Sequence, residues 1–130
     1  MRKPSRKTLK RNLDETMKQV IRLRDEYTCQ RCGKRYSPDN VKGSLDWAHI
    51  YARERLSMRW LYLNSIILCC GCHKWWHDNP TDSGKWFAEK WPHRDDYLRA
   101  EKLKPTRPIK DWELAEWLEE RKQKLEELKK

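Results

Sequence analysis

The sequence predicts an α+β chain, mainly helical, in which a small metal-stapled finger is flanked by helices on both sides. Three observations predict it. Two Cys-x-x-Cys pairs, Cys29/Cys32 and Cys69/Cys72, bracket the middle of the chain. Apolar residues recur at helical spacing before the first pair and after the second, at Leu9, Leu13, Met17, Val20 and Ile21 and again at Leu114, Leu118, Leu125 and Leu128. Between the pairs only two short runs, Leu45 to Tyr51 and Ser65 to Leu68, read as strands.

A chain of 130 residues is one small domain with appendages. Charged residues make up 38% of it and its mean hydropathy is −1.17, so the apolar core is thin and a metal staple would make up for it. The organisation expected is a basic arm and N-terminal helix over 1–26, a metal-bound finger over 27–80, and a helical C-terminal extension over 81–130 that packs on the core. Residues 1–7 form the arm, and Thr8 or Ser5 caps a helix running to about Asp25. Ser37-Pro38-Asp39-Asn40 and Gly43 are turn chemistry. Along the first strand Leu45, Trp47, His49 and Tyr51 share one face, with Asp46, Ala48 and Ile50 on the other. Residues 52–63 are expected as the loop between the strands. A helix follows from the second Cys pair to Asn79, stopped by Pro80. Two short helical segments, Gly84 to Trp91 and Asp95 to Lys104, lie between prolines, and Asp111 is placed to cap a last helix to Lys130. The stripe on that helix packs on the finger or the first helix, with a short coiled-coil dimer contact as the alternative. The eight tryptophans are expected to build much of the core, and any that stay exposed are available to stack on bases.

Four cysteines in paired hooks supply the four thiolates a closed tetrahedral Zn²⁺ takes. Cys70 is left over and has no assigned role. Five cysteines with no signal peptide, and no run long enough to span a membrane, imply a reducing compartment, the cytoplasm. His73 and His77 are a turn apart on the helix that follows Cys70, so they face the same way. The sulfurs already fill the zinc shell, so this pair implies a second, open divalent position, the kind at which metal catalysis occurs. His49 and Asn64 are further polar residues placed between the hooks. The plain alternative is that His77 packs against Trp75 and Trp76 while His73 caps the knuckle.

The order of His49 on a strand, then Asn64, then His73 on a helix, with two flanking Cys-x-x-Cys hooks, resembles the HNH endonuclease family. It covers about Tyr27 to Pro80, and the phrase AHI…RW…N…LCCGCHKWWH is similar to small phage HNH proteins near the NinG/Rap recombination group. The resemblance implies a ββα-metal, treble-clef-like finger and a metal-dependent DNA hydrolase that leaves a 5′-phosphate and a 3′-hydroxyl. It implies His49 as the general base, Asn64 as the residue that orients it, and His73 with His77 as ligands of a catalytic Mg²⁺, Mn²⁺ or other divalent ion. Many members carry an Asp or His metal ligand immediately before the base histidine. Ala48 stands there in this chain, and Asp46, on the same strand face as Ala48, is the expected substitute if a bulge brings it close. The cytoplasm in question would be that of a bacterial host if the gene is phage-borne, with packaging or recombination proteins as partners and a monomer or weak homodimer as the active form.

The net charge of +10 points to a polyanion. Nine Lys and Arg lie between Met1 and Arg24 against two acids, whereas acids outnumber bases from Asp111 onward. Lys10, Lys18 and Arg22 on the first helix are candidate backbone contacts with DNA. Arg53, Arg55 and Arg59 lie in the inter-strand loop, where an arginine clamps a phosphate bidentately; ordinary surface charge is the other reading for each. A non-catalytic zinc-knuckle DNA-binding module is the alternative to the nuclease.

Overall fold

The computed structural model describes residues 2–41 and 44–130. Its long helices are α1 (Arg6–Arg24) and α6 (Asp111–Lys129), and between them lie β1 (Leu45–His49), the short α2 (Leu56–Arg59), β2 (Ser65–Cys69), α3 (Cys70–Asp78), α4 (Pro80–Lys90) and α5 (Pro92–Leu103). Ser5 is the residue that caps α1, its Oγ accepting the Thr8 amide at 3.1 Å. Arg22 and Arg24 in the last turn suit the negative end of the helix dipole. The chain then reverses through two consecutive left-handed residues, Glu26 (φ 55°) and Tyr27 (φ 53°), and enters the first cysteine hook.

β1 and β2 pair antiparallel, with Leu45 opposite Cys69, Trp47 opposite Ile67 and His49 opposite Ser65. Ile66, Ile67 and Leu68 are buried on both faces of β2. One face meets the α1 stripe of Leu9, Leu13, Met17, Val20 and Ile21, all buried, and α6 covers α1 with Leu114, Leu118 and Leu125. The two long helices start side by side, where Arg6 donates to the Ile109 carbonyl and to Asp111. Leu114, Leu118 and Leu125 of the α6 stripe are therefore used within the chain. Burying a leucine contributes ~1.5–3 kcal/mol, so this pairing carries much of the core.

Prolines mark corners in a different way from the one expected. Pro80 and Pro92 each occupy the first turn of a new helix, where a missing N–H costs nothing. α3, α4 and α5 thus follow one another with single-residue joints, and Trp75, Trp76, Trp86, Phe87 and Trp91 fill the corner with edge-on ring contacts of 5.3–6.3 Å. β1 ends at His49, short of Tyr51, and residues 52–63 contain α2 and the start of a 3₁₀ turn at Tyr62–Asn64. Gly43, expected in a turn, lies outside the described residues. No helix among the described residues is long and apolar enough to cross a membrane.

Candidate metal centres and basic groove

The first hook is shaped by its own backbone. Gly33 takes φ 79°, a left-handed value that glycine adopts freely, and its amide donates to the Cys29 carbonyl at 2.9 Å. The Gln30 amide donates to Ile67 O at 2.9 Å, which lays the hook against β2. The second hook straddles the end of β2 and the first turn of α3, where Cys69 Sγ accepts the Cys72 amide at 3.4 Å. Together the Sγ atoms of Cys29, Cys32, Cys69 and Cys72 lie within 4.8 Å of one another. Tetrahedral zinc with bonds of about 2.3 Å separates its sulfurs by roughly 3.8 Å, and Cys32 Sγ is 3.8 Å from Cys69 Sγ.

The donor set asks for a cation. Burial raises the Cys29 thiol, but the Cys32, Cys69 and Arg31 amides outweigh it and bring its pKa down to about 7. Burial pushes Cys72 up to about 12, with Arg31 pulling the other way and the neighbouring sulfurs adding to the rise. Ionised together, four sulfurs this close need a positive ion between them. The four cysteines can therefore hold an ion such as zinc. Arg31 supports them, its Nη1 3.5 Å from Cys72 Sγ and its guanidinium 3.6 Å from the Trp75 ring centroid.

His73 and His77 project from the next turns of α3. The Nδ1–H of His73 donates to Asp46 Oδ2 at 2.9 Å. A carboxylate only accepts, so that bond places the His73 lone pair on Nε2, which faces His77 Nε2 at 3.0 Å. His77 Nε2–H donates to that lone pair, so the two imidazoles are hydrogen-bonded to each other. Asp46 meets His73 at Nδ1, on the other side of the ring from His77. Among the described residues the four cysteines converge as a group of three or more ligands, and Asp46 is not in that group.

His49 lines a cleft of about 480 Å³ together with Trp47, Arg53, His73, Trp76 and His77. Its Nε2 is 3.1 Å from the Arg59 carbonyl. A carbonyl cannot donate, so Nε2 carries the hydrogen and Nδ1 keeps the lone pair. Burial lowers the pKa of His49 to about 4; the Arg59 carbonyl opposes this and Arg53 adds to it. The ring is neutral at pH 7. Asn64, fully buried, does not reach His49. Its Oδ1 accepts the Tyr51 amide and its Nδ2 donates to the Tyr51 and Met58 carbonyls. It closes the loop whose next residue, Arg59, holds the histidine.

The loop is also tied to α1. Asp14, buried at 9% exposure, accepts from Arg59 Nε and Nη2, from Trp60 Nε1 at 2.8 Å and from Arg53 Nη2 at 3.0 Å. Asp14 escaped the sequence reading because its partners lie far along the chain. Arg59, in sequence either a phosphate clamp or ordinary surface charge, is paired with Asp14 and only 11% exposed. Arg55 is likewise taken, by the Lys104 carbonyl and Thr106 Oγ1. Arg53 is the loop arginine left exposed at the cleft, with 53% of its side chain open. On α1, Lys10 and Lys18 line a groove of about 550 Å³ with Arg6, Lys7 and Arg11, which runs up to Asp14 and Arg59. Lys18 is paired with Glu15 in this groove. Arg22 is half-buried and its Nε has no hydrogen-bond partner.

The chain matches no family model, no curated protein and no solved structure. The second cysteine hook and His73 lie at the Leu45–Cys69 end of the sheet and His49 at the other, opposite Ser65; one cleft joins His49 to His73 and His77. Of the basic residues expected to meet a polyanion, Arg53, Lys10 and Lys18 face the cleft or the groove beside it. Cys70 is exposed, its amide donating to the Ser44 carbonyl at 3.1 Å.

Proposed function

We propose that this chain is a metal-dependent HNH-type endonuclease that hydrolyses DNA phosphodiester bonds, with zinc in the four-cysteine knuckle and Mg²⁺ or Mn²⁺ at His73 and His77. The observation that carries the reading is a single cleft that joins a neutral, oriented histidine to two imidazole nitrogens 3.0 Å apart. The fold supports it in outline: two antiparallel strands followed by a helix that carries the ligands, which is the ββα order the sequence resemblance implies.

In this mechanism His49 Nδ1 takes a proton from water, and the resulting hydroxide attacks phosphorus in line with the leaving 3′ oxygen. Arg59 O keeps the ring from turning, and Asn64 with Asp14 keeps Arg59 in place. Arg53 offsets the charge of the phosphate. Asp46 holds the His73 tautomer. A divalent ion, when bound, supplies Lewis-acid stabilisation of the scissile phosphate and the departing oxygen. The bond broken is P–O3′, giving a 5′-phosphate and a 3′-hydroxyl once the oxygen is protonated. The groove of Lys7, Lys10, Arg11 and Lys18 tracks the DNA backbone and makes affinity fall with salt. Partners in phage-type DNA processing or recombination fit the same reading.

Ala48 in place of a metal-ligating residue favours a second reading, a zinc-knuckle module that binds DNA without cutting it. Plasmid cleavage with and without Mg²⁺ or Mn²⁺, for wild type and His49→Ala, separates the two. Metal-dependent nicking by wild type that is lost in His49→Ala supports the nuclease. Equal activity in both, or DNA binding with no cutting of any DNA form, rejects it.

A further inference from the structure

We propose that a second cleft, on the far side of His77 from His49, receives one unpaired nucleobase of the strand being cut. The proposal rests on the nuclease reading for its substrate and narrows that substrate to DNA with an unstacked base beside the scissile bond. The cleft holds about 270 Å³, a little below the ~300–1,000 Å³ of pockets that bury drug-sized ligands. It shares Ile50, Trp76 and His77 with the histidine cleft, so His77 stands on the border between the two and His73 on the histidine side. A strand with its phosphate at His73 and His77 therefore has its next base at this opening.

The lining has the chemistry of a base pocket. Trp76 at 8% and Phe87 at 1% exposure close the bottom of the cleft, and half-buried Tyr51 is the lining ring with surface left open. A base stacks on such an open ring whatever its sequence. At the rim Arg99 Nε donates to Asp95 Oδ2 at 2.7 Å, which offers donors and an acceptor side by side, as the edge of a base requires. The single carboxylate is already paired, so the cleft does not suit a cation. A base inside an intact duplex cannot enter, because it is stacked and paired.

Gly84 is the position from which to probe the cleft. It lies within α4 at the cleft wall, and a Cβ built on it meets nothing within 4 Å, so a larger side chain enters without a clash.

The test uses the full zinc-loaded chain, Gly84→Leu to narrow the cleft, and Gly84→Ala as a control. The probes are a fluorescent single strand, its matched duplex, and a strand with one abasic nucleotide stepped past the cut site. Anisotropy and cleavage are read for each. Wild type should prefer the single strand to the duplex, and Gly84→Leu should lose roughly tenfold of single-strand affinity, within the range for one stacked base, while duplex binding stays within about twofold. One abasic position should cost wild type a similar factor and cost Gly84→Leu nothing further. Unchanged single-strand binding in Gly84→Leu, or no sensitive abasic position, overturns the pocket. If wild type cuts nothing but still binds single strands in a Gly84-sensitive way, the pocket stands and the nuclease reading falls.

Discussion

The cysteine knuckle and the histidine pair lie within a few residues of each other on α3, yet they are built on opposite plans. The knuckle draws ligands from two distant hooks, each set by its own turn, and all four sulfurs converge. The histidine pair draws two ligands from adjacent turns of one helix, backed by one carboxylate, and opens onto a cleft. The first arrangement gains by joining remote chain segments, so an ion held there would belong to folding. The second joins nothing that the helix has not already joined, so under the proposed reading an ion held there would be free to exchange and to take outside ligands. Each half of that contrast can be broken separately.

The largest effect is expected at the knuckle. A structural zinc site contributes on the order of 10–16 kcal/mol, comparable to the whole stability of a small domain. Cys29→Ser, or a strong chelator, should abolish the cooperative thermal transition of the finger and release one equivalent of zinc. His73→Ala should leave both the zinc content and the transition nearly unchanged. A Cys29→Ser protein that melts like wild type would show that the sulfurs do not hold the fold.

Next comes His49→Ala. Cleavage should fall by about 10²–10⁴-fold, the usual weight of a general base, with DNA affinity changed less than about twofold. The same side chain has a signature in stability. Its folded pKa of about 4 lies below the ordinary 6.5. Above pH 6.5 the ring is neutral in both states and its contribution is intact. Between 6.5 and 4 the unfolded chain takes up the proton first, so stability falls by up to about 1.4 kcal/mol per pH unit. Denaturant melts across that window should slope more steeply in wild type than in His49→Ala. Parallel slopes would mean that His49 is not buried as a neutral ring.

How much of this was legible in the sequence depends on how far apart the cooperating residues lie. The hooks were legible because Cys-x-x-Cys geometry is local and glycine follows the first pair. The helical stripes were legible because 3.6-residue periodicity reports burial without naming the partner, which is why α6 could be assigned to either the finger or α1. The His73–His77 pair followed from helical spacing alone. Asp14 with Arg59 was not legible, since a carboxylate on an N-terminal helix gives no local sign that it will meet a loop 45 residues on. Basic residues of one loop look alike in sequence; only the fold sorts Arg53, which stays open, from Arg55 and Arg59, which do not.

Asp14→Asn tests that hidden tie. The substitution removes the charge that neutralises Arg59, a guanidinium only 11% exposed. Breaking a buried pair from one side costs about 3–5 kcal/mol. Stability should drop by about 3 kcal/mol in denaturant melts while zinc content holds at one equivalent. A drop under about 1 kcal/mol would place the Asp14 cluster at the surface in energetic terms.

The smallest and most discriminating effect is expected at Asp46. If Asp46 stands behind His73 rather than on the ion, Asp46→Asn keeps an acceptor for the Nδ1–H but loses the charge that strengthens His73 as a donor. Loss of such a supporting partner weakens metal affinity by about 10–100-fold. Calorimetric titration of Mn²⁺ into the zinc-loaded protein should show that shift, with zinc content and melting temperature unchanged. Removing a direct ligand from a site with only two histidines would abolish Mn²⁺ binding altogether, and Asp46 would then belong to the ion's own coordination shell. No change at all would mean that the helix by itself orients His73. Only the intermediate result fits a pair of imidazoles aimed by one strand carboxylate and left open for a phosphate oxygen.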